Sequence, residues 1–223
     1  MDNWYSLRIA IVNEKYDEAI KLLQKFSKGI ISNRRTFYSS LLALANAGYV
    51  AEVKGILKDT YNSKSDVDLK KIINNSILEY EIRQSLTEEQ KDVVDHCIEM
   101  IRDALDFHEY DLVYDLCEWG YYVSGLPIFL YYEGKGFFKC HNYVDAEKTL
   151  LKYVEVGSVK TPKAYLYLTR IYDLRENRTG YLKYKKKMEA VDMVYTNSFY
   201  YYNFLNGGID RKKSRIQLDN FIF

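Results

Sequence analysis

Proline is almost absent from this chain: Pro127 and Pro162 are the only two among 223 residues. A proline inside a helix removes a backbone donor and clashes with the preceding turn, so its scarcity points to a mostly helical chain. Cysteine is equally sparse. Cys97, Cys117 and Cys140 form an odd set with no Cys-x-x-Cys spacing, which excludes a disulfide framework and predicts a reducing, cytoplasmic setting. The start, Met1-Asp2-Asn3-Trp4, lacks the basic and apolar regions of a signal peptide. No stretch reaches the roughly 20 apolar residues that a membrane span needs, so no membrane partner is expected.

A dominant charge is also missing. Lys and Arg number 32 and Asp and Glu 31, for a formal net charge of +1. That removes the global field that draws proteins to nucleic acid, which is therefore not expected as a partner. The basic run Lys183, Lys185, Lys186 and Lys187 reads as a solvated helix face, diluted by Glu189 and Asp192.

Catalytic patterns are missing too. The three histidines are His96, His108 and His141, and two of them adjoin a cysteine, in His96-Cys97 and Cys140-His141. Neighbouring residues on a helix point about 100° apart, a poor chelate, so no metal is expected. Glu133-Gly134-Lys135-Gly136 lacks the second half of a phosphate loop. There is no Gly-x-Ser-x-Gly and no His-Glu-x-x-His. No catalytic residue and no cofactor is assigned, and the chain is not expected to be an enzyme.

What is present in excess is tyrosine, with 23 copies. Tyrosine buries its ring and keeps its hydroxyl wet, which suits thin helical layers and equally a binding groove. With 48% apolar and 28% charged residues the chain has the makings of a folded core. A short phrase also recurs: a turn, an aromatic, then a small or branched residue three places on. It reads Glu14-Lys15-Tyr16-Asp17-Glu18-Ala19, His108-Glu109-Tyr110-Asp111-Leu112-Val113 and His141-Asn142-Tyr143-Val144-Asp145-Ala146. Weaker copies end at Val53 and Tyr181, and the separations are 34, 60, 33 and 35 residues. Three of the four fit the roughly 34-residue period of a helix-turn-helix repeat.

Apolar spacing predicts helix pairs at about 3–13 with 16–28, 34–47 with 50–62, 127–139 with 143–157, and 162–175 with 178–192. The 60-residue gap holds a long helix from 66 to about 84, another opened by a capping box at Thr87-Glu88-Glu89-Gln90, and a shorter one at 110–122. Gly120, Gly125 and Pro127 mark a break. Ser198 to Leu205 is a candidate terminal helix, followed by the turn signal Asn206-Gly207-Gly208. Aromatic crowding at Phe199–Phe204 and the ending Phe221-Ile222-Phe223 predict docking of the tail or a homo-oligomer formed through it.

These residues resemble a tetratricopeptide repeat. The best match to the first half of its signature is Tyr165-x-x-Leu168-Thr169-x-x-Tyr172. The next is Leu130-x-x-Glu133-Gly134-x-x-Phe137 followed by Ala146-x-x-x-Leu150, and the first repeat gives Ala19-x-x-x-Leu23. The small residue of the first helix is Gly134 in one repeat only; its counterparts are Leu7, Leu41, Ile101 and Thr169. The resemblance covers about two-thirds of the chain. It implies an all-α fold, an α-solenoid of antiparallel helix pairs over 1–205, with irregular long helices at about 63–107 and a tail at 206–223.

It also implies a scaffold or regulatory module that binds a protein or peptide on its concave face. The first helix of each pair lines that face. Carried over, this places Trp4 and Arg8, Tyr38 and Asn46, then Tyr131, Lys135 and Phe138, and finally Arg170 in the groove. The aromatics would anchor side chains, while Asn46, Lys135 and Arg170 would hold backbone, carboxylates or a C-terminus. Two further roles fit the same residues: an accessory repeat module of an enzyme complex such as a glycosyltransferase, or a peptide-sensing regulator lacking its DNA-binding half.

Overall fold

The computed structural model describes residues 3–60, 67–158 and 160–190. Every described element is a helix, eleven in all, and no strand occurs among the described residues. They are α1 (Asn3–Val12), α2 (Tyr16–Ser27), α3 (Arg34–Asn46), α4 (Val50–Asp59), α5 (Val67–Ser85), α6 (Glu88–Asp106), α7 (Tyr110–Ser124), α8 (Ile128–Lys139), α9 (Tyr143–Val156), α10 (Thr161–Leu174) and α11 (Arg178–Ala190). The apolar spacing therefore located the helices to within a few residues. The expected helix at Ser198–Leu205 and the tail lie outside the described residues.

The recurring phrase corresponds to one backbone device. Glu14, Gly48, His108, His141 and Glu176 all adopt a left-handed conformation, with φ of 56, 92, 64, 64 and 55°. In each case the next N–H reaches back to the carbonyl five residues earlier, at 2.8 to 3.0 Å: Lys15 to Ala10, Tyr49 to Leu44, Glu109 to Ala104, Asn142 to Phe137 and Asn177 to Tyr172. This bond satisfies a carbonyl that the helix end would otherwise leave open. The second helix then starts two residues on, at Tyr16, Val50, Tyr110, Tyr143 and Arg178. Four of the five positions hold no glycine, although a side chain there costs about 1–2 kcal/mol. The small residue that ends the phrase is fully buried in the first four copies, at Ala19, Val53, Val113 and Ala146.

These turns join α1 to α2, α3 to α4, α6 to α7, α8 to α9 and α10 to α11, and each pair is in contact. Consecutive pairs also touch, through α1 and α3, α7 and α8, and α9 and α10. The approach is closest where the side chain is smallest. A Cβ on Gly134 would lie 2.7 Å from Leu150 Cγ, so α8 meets α9 through bare backbone. Of the three residues expected to mark a break, Gly120 does not belong to it. It lies inside α7, where a Cβ would stand 2.3 Å from the Phe129 ring, so its role is packing against α8. The helix ends at Gly125, φ 66°.

Helix α5 has no turn-linked partner and lies against α3. It also reaches the α9–α10 turn: Asn75 Nδ2 donates to the carbonyls of Glu155 and Gly157 at 3.2 and 3.1 Å. Lys71 pairs with Glu155, and the Ser158 hydroxyl donates to Glu79. The long helix thus ties the first two pairs to the last two. The predicted capping box at Thr87 is complete, with Gln90 N–H donating to Thr87 Oγ1 at 3.2 Å and Thr87 N–H to Gln90 Oε1 at 3.0 Å.

Candidate cationic site on α6, α8 and α10

The eight expected groove residues fall into two groups. Four lie on α1 and α3. The Trp4 ring sits 4.1 Å from Phe26, and its Nε1 donates to Ser32 Oγ at 2.9 Å. Arg8 is half-buried on the same helix. Tyr38 is only 2% exposed and packs edge-on to Phe37. Asn46 accepts from the Ser76 hydroxyl and so holds α5 in place. The other four lie on α8 and α10. Tyr131, at 3% exposure, packs against Tyr132, Tyr153 and Tyr167 and shares a hydrogen bond with the Tyr167 hydroxyl. Tyr38 and Tyr131 are therefore packing residues in this structure: no ring face is open to a ligand. Phe138, half-buried, lies 4.9 Å from Tyr167. Lys135 and Arg170 are both half-buried.

Around Lys135 the structure gathers cations that the sequence reading did not single out. One turn on is Lys139, whose Nζ donates to the Leu105 carbonyl at 3.5 Å. Lys160 and Lys163 stand at the start of α10, which adds the positive end of its dipole. Arg102 comes from α6, its Nε donating to the Tyr132 hydroxyl at 3.2 Å. The helices position these groups by simple spacing: Tyr131, Lys135 and Phe138 follow one face of α8, while Lys163, Tyr167 and Arg170 follow one face of α10.

The electrostatics record the crowding. Burial pushes the Lys135 ammonium down to about 8, and Lys139, Lys163 and Arg102 push the same way against Asp106. Burial also takes Lys160 down to about 8, helped by Lys163, Arg102 and Lys135 and opposed by Glu79. Lys163 is lowered by burial and by Arg102. Arg102 is held charged above its usual range, chiefly by its bond to Tyr132. Glu79 on α5 is raised by burial, with the Ser158 hydroxyl, Arg83 and Lys160 pulling it back. Charges of one sign brought together and partly dried disfavour their own protonation. Among the described residues, Lys135, Lys160 and Lys163 have no ion-pair partner.

Such a cluster can hold an anion, because an opposite charge removes both the desolvation cost and the mutual repulsion. Nucleophile chemistry finds less support. Cys97 and Cys117 are buried, with their thiols pushed up by desolvation, the opposite of an activated thiolate. Among the described residues no group of three His, Cys, Asp or Glu is placed to hold a metal ion. No described helix is long and apolar enough to cross a membrane. Lys135 was the visible member of the site. Lys139 shares its helical phase, and Lys160 and Lys163 flank Pro162, so these could have been found from spacing; Arg102 lies in the stretch read as irregular. No protein-family model, curated protein or solved structure matches the chain.

Proposed function

We infer that the chain is a binding module: its helix pairs form a tetratricopeptide-like solenoid, and the face shared by α6, α8 and α10 is the concave surface that receives an acidic protein or peptide segment. The observation that carries this reading is the set of half-buried lysines Lys135, Lys160 and Lys163, without an ion-pair partner among the described residues, beside Arg102. A structural role would have supplied them with carboxylates; leaving them without partners costs stability that a ligand restores. Half-buried Phe138, backed by the buried ring of Tyr167, offers an apolar seat for the segment's side chains. The five equivalent turns support the repeat architecture. Three free cysteines suit a reducing compartment.

The direct test is binding of the full chain to an array of acidic and neutral peptides. Acidic peptides are expected to bind with an affinity that falls as salt rises. Reversing Lys135 and Lys163 together to glutamate is expected to cost about 2–4 kcal/mol of binding if the pair forms a hot spot, with helix content unchanged. Full binding by a folded double variant would move the site elsewhere and end this reading.

A further inference from the structure

Charge and shape at the same site say more about the anion. The clustered cations are the exposed Arg102 from α6 and four half-buried lysines, Lys135 and Lys139 from α8 and Lys160 and Lys163 at the start of α10. The carboxylates that oppose them are Glu99 and Asp106 on α6 and Glu79 on α5. Glu79 already accepts the Ser158 hydroxyl, and its remaining cationic neighbour is Arg83, which is committed to Asp95 with both contacts at 2.6 Å. Neutral hydroxyls complete the surroundings: Tyr132 accepts from Arg102, and Tyr131 and Tyr167 bond to each other. Among the described residues, five cations against three carboxylates leave two positive charges without a counterpart.

A single carboxylate neutralises one charge and offers its oxygens in one plane. The cations here arrive from three helices, and so from several directions. A tetrahedral dianion matches both the excess charge and the spread of donors: an arginine fork serves one pair of oxygens, and lysines act as point charges on the others. Resting on the peptide-binding reading above, we propose that the Arg102–Lys135–Lys160–Lys163 cluster is a phosphate-dianion site, which recognises a phosphorylated side chain of the acidic segment. Phe138, 4.9 Å from Tyr167, lies next to it to receive a flanking apolar residue. Binding then has a proton signature. A dianion beside lysines poised near neutrality draws them to full protonation, so protons are taken up.

The experiment uses the full chain and four small probes at matched ionic strength: inorganic phosphate, N-acetyl-phosphoserine amide, acetate and N-acetyl-aspartate amide. Calorimetry at pH 8 in two buffers of different ionisation enthalpy measures affinity and proton exchange together. The expected result is binding of at least one phosphate probe roughly tenfold or more tighter than the carboxylates, with net proton uptake. Phosphoserine amide ahead of inorganic phosphate identifies a phosphorylated side chain as the source; the reverse order identifies free phosphate as the ligand and overturns the side-chain assignment. Lys163→Gln and Lys135→Gln are each expected to reduce phosphate binding and proton uptake, whereas Lys25→Gln, exposed on α2, leaves both unchanged. Equal affinity for phosphate and carboxylate probes, or equal loss in Lys25→Gln, would reduce the effect to ionic atmosphere and overturn the proposal. If acidic peptides still bind while phosphoserine shows no advantage over aspartate, the phosphate assignment alone falls. If neither acidic peptides nor phosphate probes bind, the peptide-binding reading falls with it.

Discussion

Two helix hairpins of this chain carry opposite chemistry. Residues 88–124, which form α6 and α7, contain eleven carboxylates and only two cationic side chains, Lys91 and Arg102. Residues 160–190, which lead into and form α10 and α11, contain nine cations and three carboxylates. Helix α6 belongs to both worlds, sending Arg102 to Tyr132 on α8 and Asp92, Glu99 and Asp103 to solvent. On α7 the exposed stripe is Asp111, Leu112, Asp115, Glu118, Trp119 and Tyr122. The contrast lies in desolvation more than in sign. Outward acids remain hydrated and cost little, whereas the inward lysines are half-buried and lose charge stability. Only the second arrangement stores a free energy that a ligand can release.

The comparison can first be broken through its scaffold. Tyr131 supports the cationic face from beneath, in contact with rings on α8, α9 and α10. Tyr131→Ala is expected to destabilise the fold by about 3–5 kcal/mol, as for other buried aromatics. Trp119, 49% exposed on the acidic face, should lose no more than about 0.5 kcal/mol on replacement by alanine. Urea denaturation of both variants checks this. Similar losses in the two would mean that the outward face is also a packed surface.

That asymmetry also explains what the sequence could and could not disclose. Helix positions were legible because apolar spacing and the turn phrase act locally: the left-handed residues at Glu14, His108, His141 and Glu176 sit where the phrase puts them. Gly120 was grouped with Gly125 and Pro127 as a break because a glycine near a helix end and a glycine under a neighbouring ring look alike in sequence; Phe129 decides between them. Lys135 was visible as a groove residue by helical phase. Its companions were not, because Arg102, Lys160 and Lys163 come from helices whose juxtaposition depends on how the pairs pack. The net charge of +1 argued against anionic partners only because it averages an acidic hairpin with a basic one. Tyr38 and Tyr131 could not be told from ligand anchors, since a buried ring and a groove ring share the same spacing.

A subtler break is to remove one inward charge. Lys135 and Lys160 sit near 8 when folded, against an ordinary lysine value of 10.5. Between those values the unfolded chain holds more protons than the folded one, so each lysine's destabilising effect is complete below about pH 8 and fades as pH rises towards 10.5. Lys135→Met is therefore expected to raise the thermal midpoint at pH 7 relative to the unsubstituted chain, and the gap should narrow by pH 9. Lys25→Met, at an exposed position of α2, should show neither the rise nor the narrowing. A Lys135→Met chain that is less stable at pH 7 and insensitive to pH would show that the inward lysines are comfortably solvated, and the contrast between the faces would collapse.

The smallest effect reads the acidic face directly. Trp119 is half-exposed among Asp115, Glu118 and Asp111, and a local negative potential concentrates cations and repels anions. In a Trp4→Phe background, leaving Trp119 as the one emitter, caesium should quench more efficiently than iodide by roughly twofold at low salt, and the preference should vanish within a few hundred millimolar salt. Replacing Asp115 and Glu118 by Asn and Gln should bring the two quenchers close to parity with little change in the thermal midpoint, because both carboxylates are exposed. An iodide preference in the parent would mean that a cationic segment covers Trp119, and the outward face would then have to be treated as an occupied surface and not as the hydrated counterpart of the inward one.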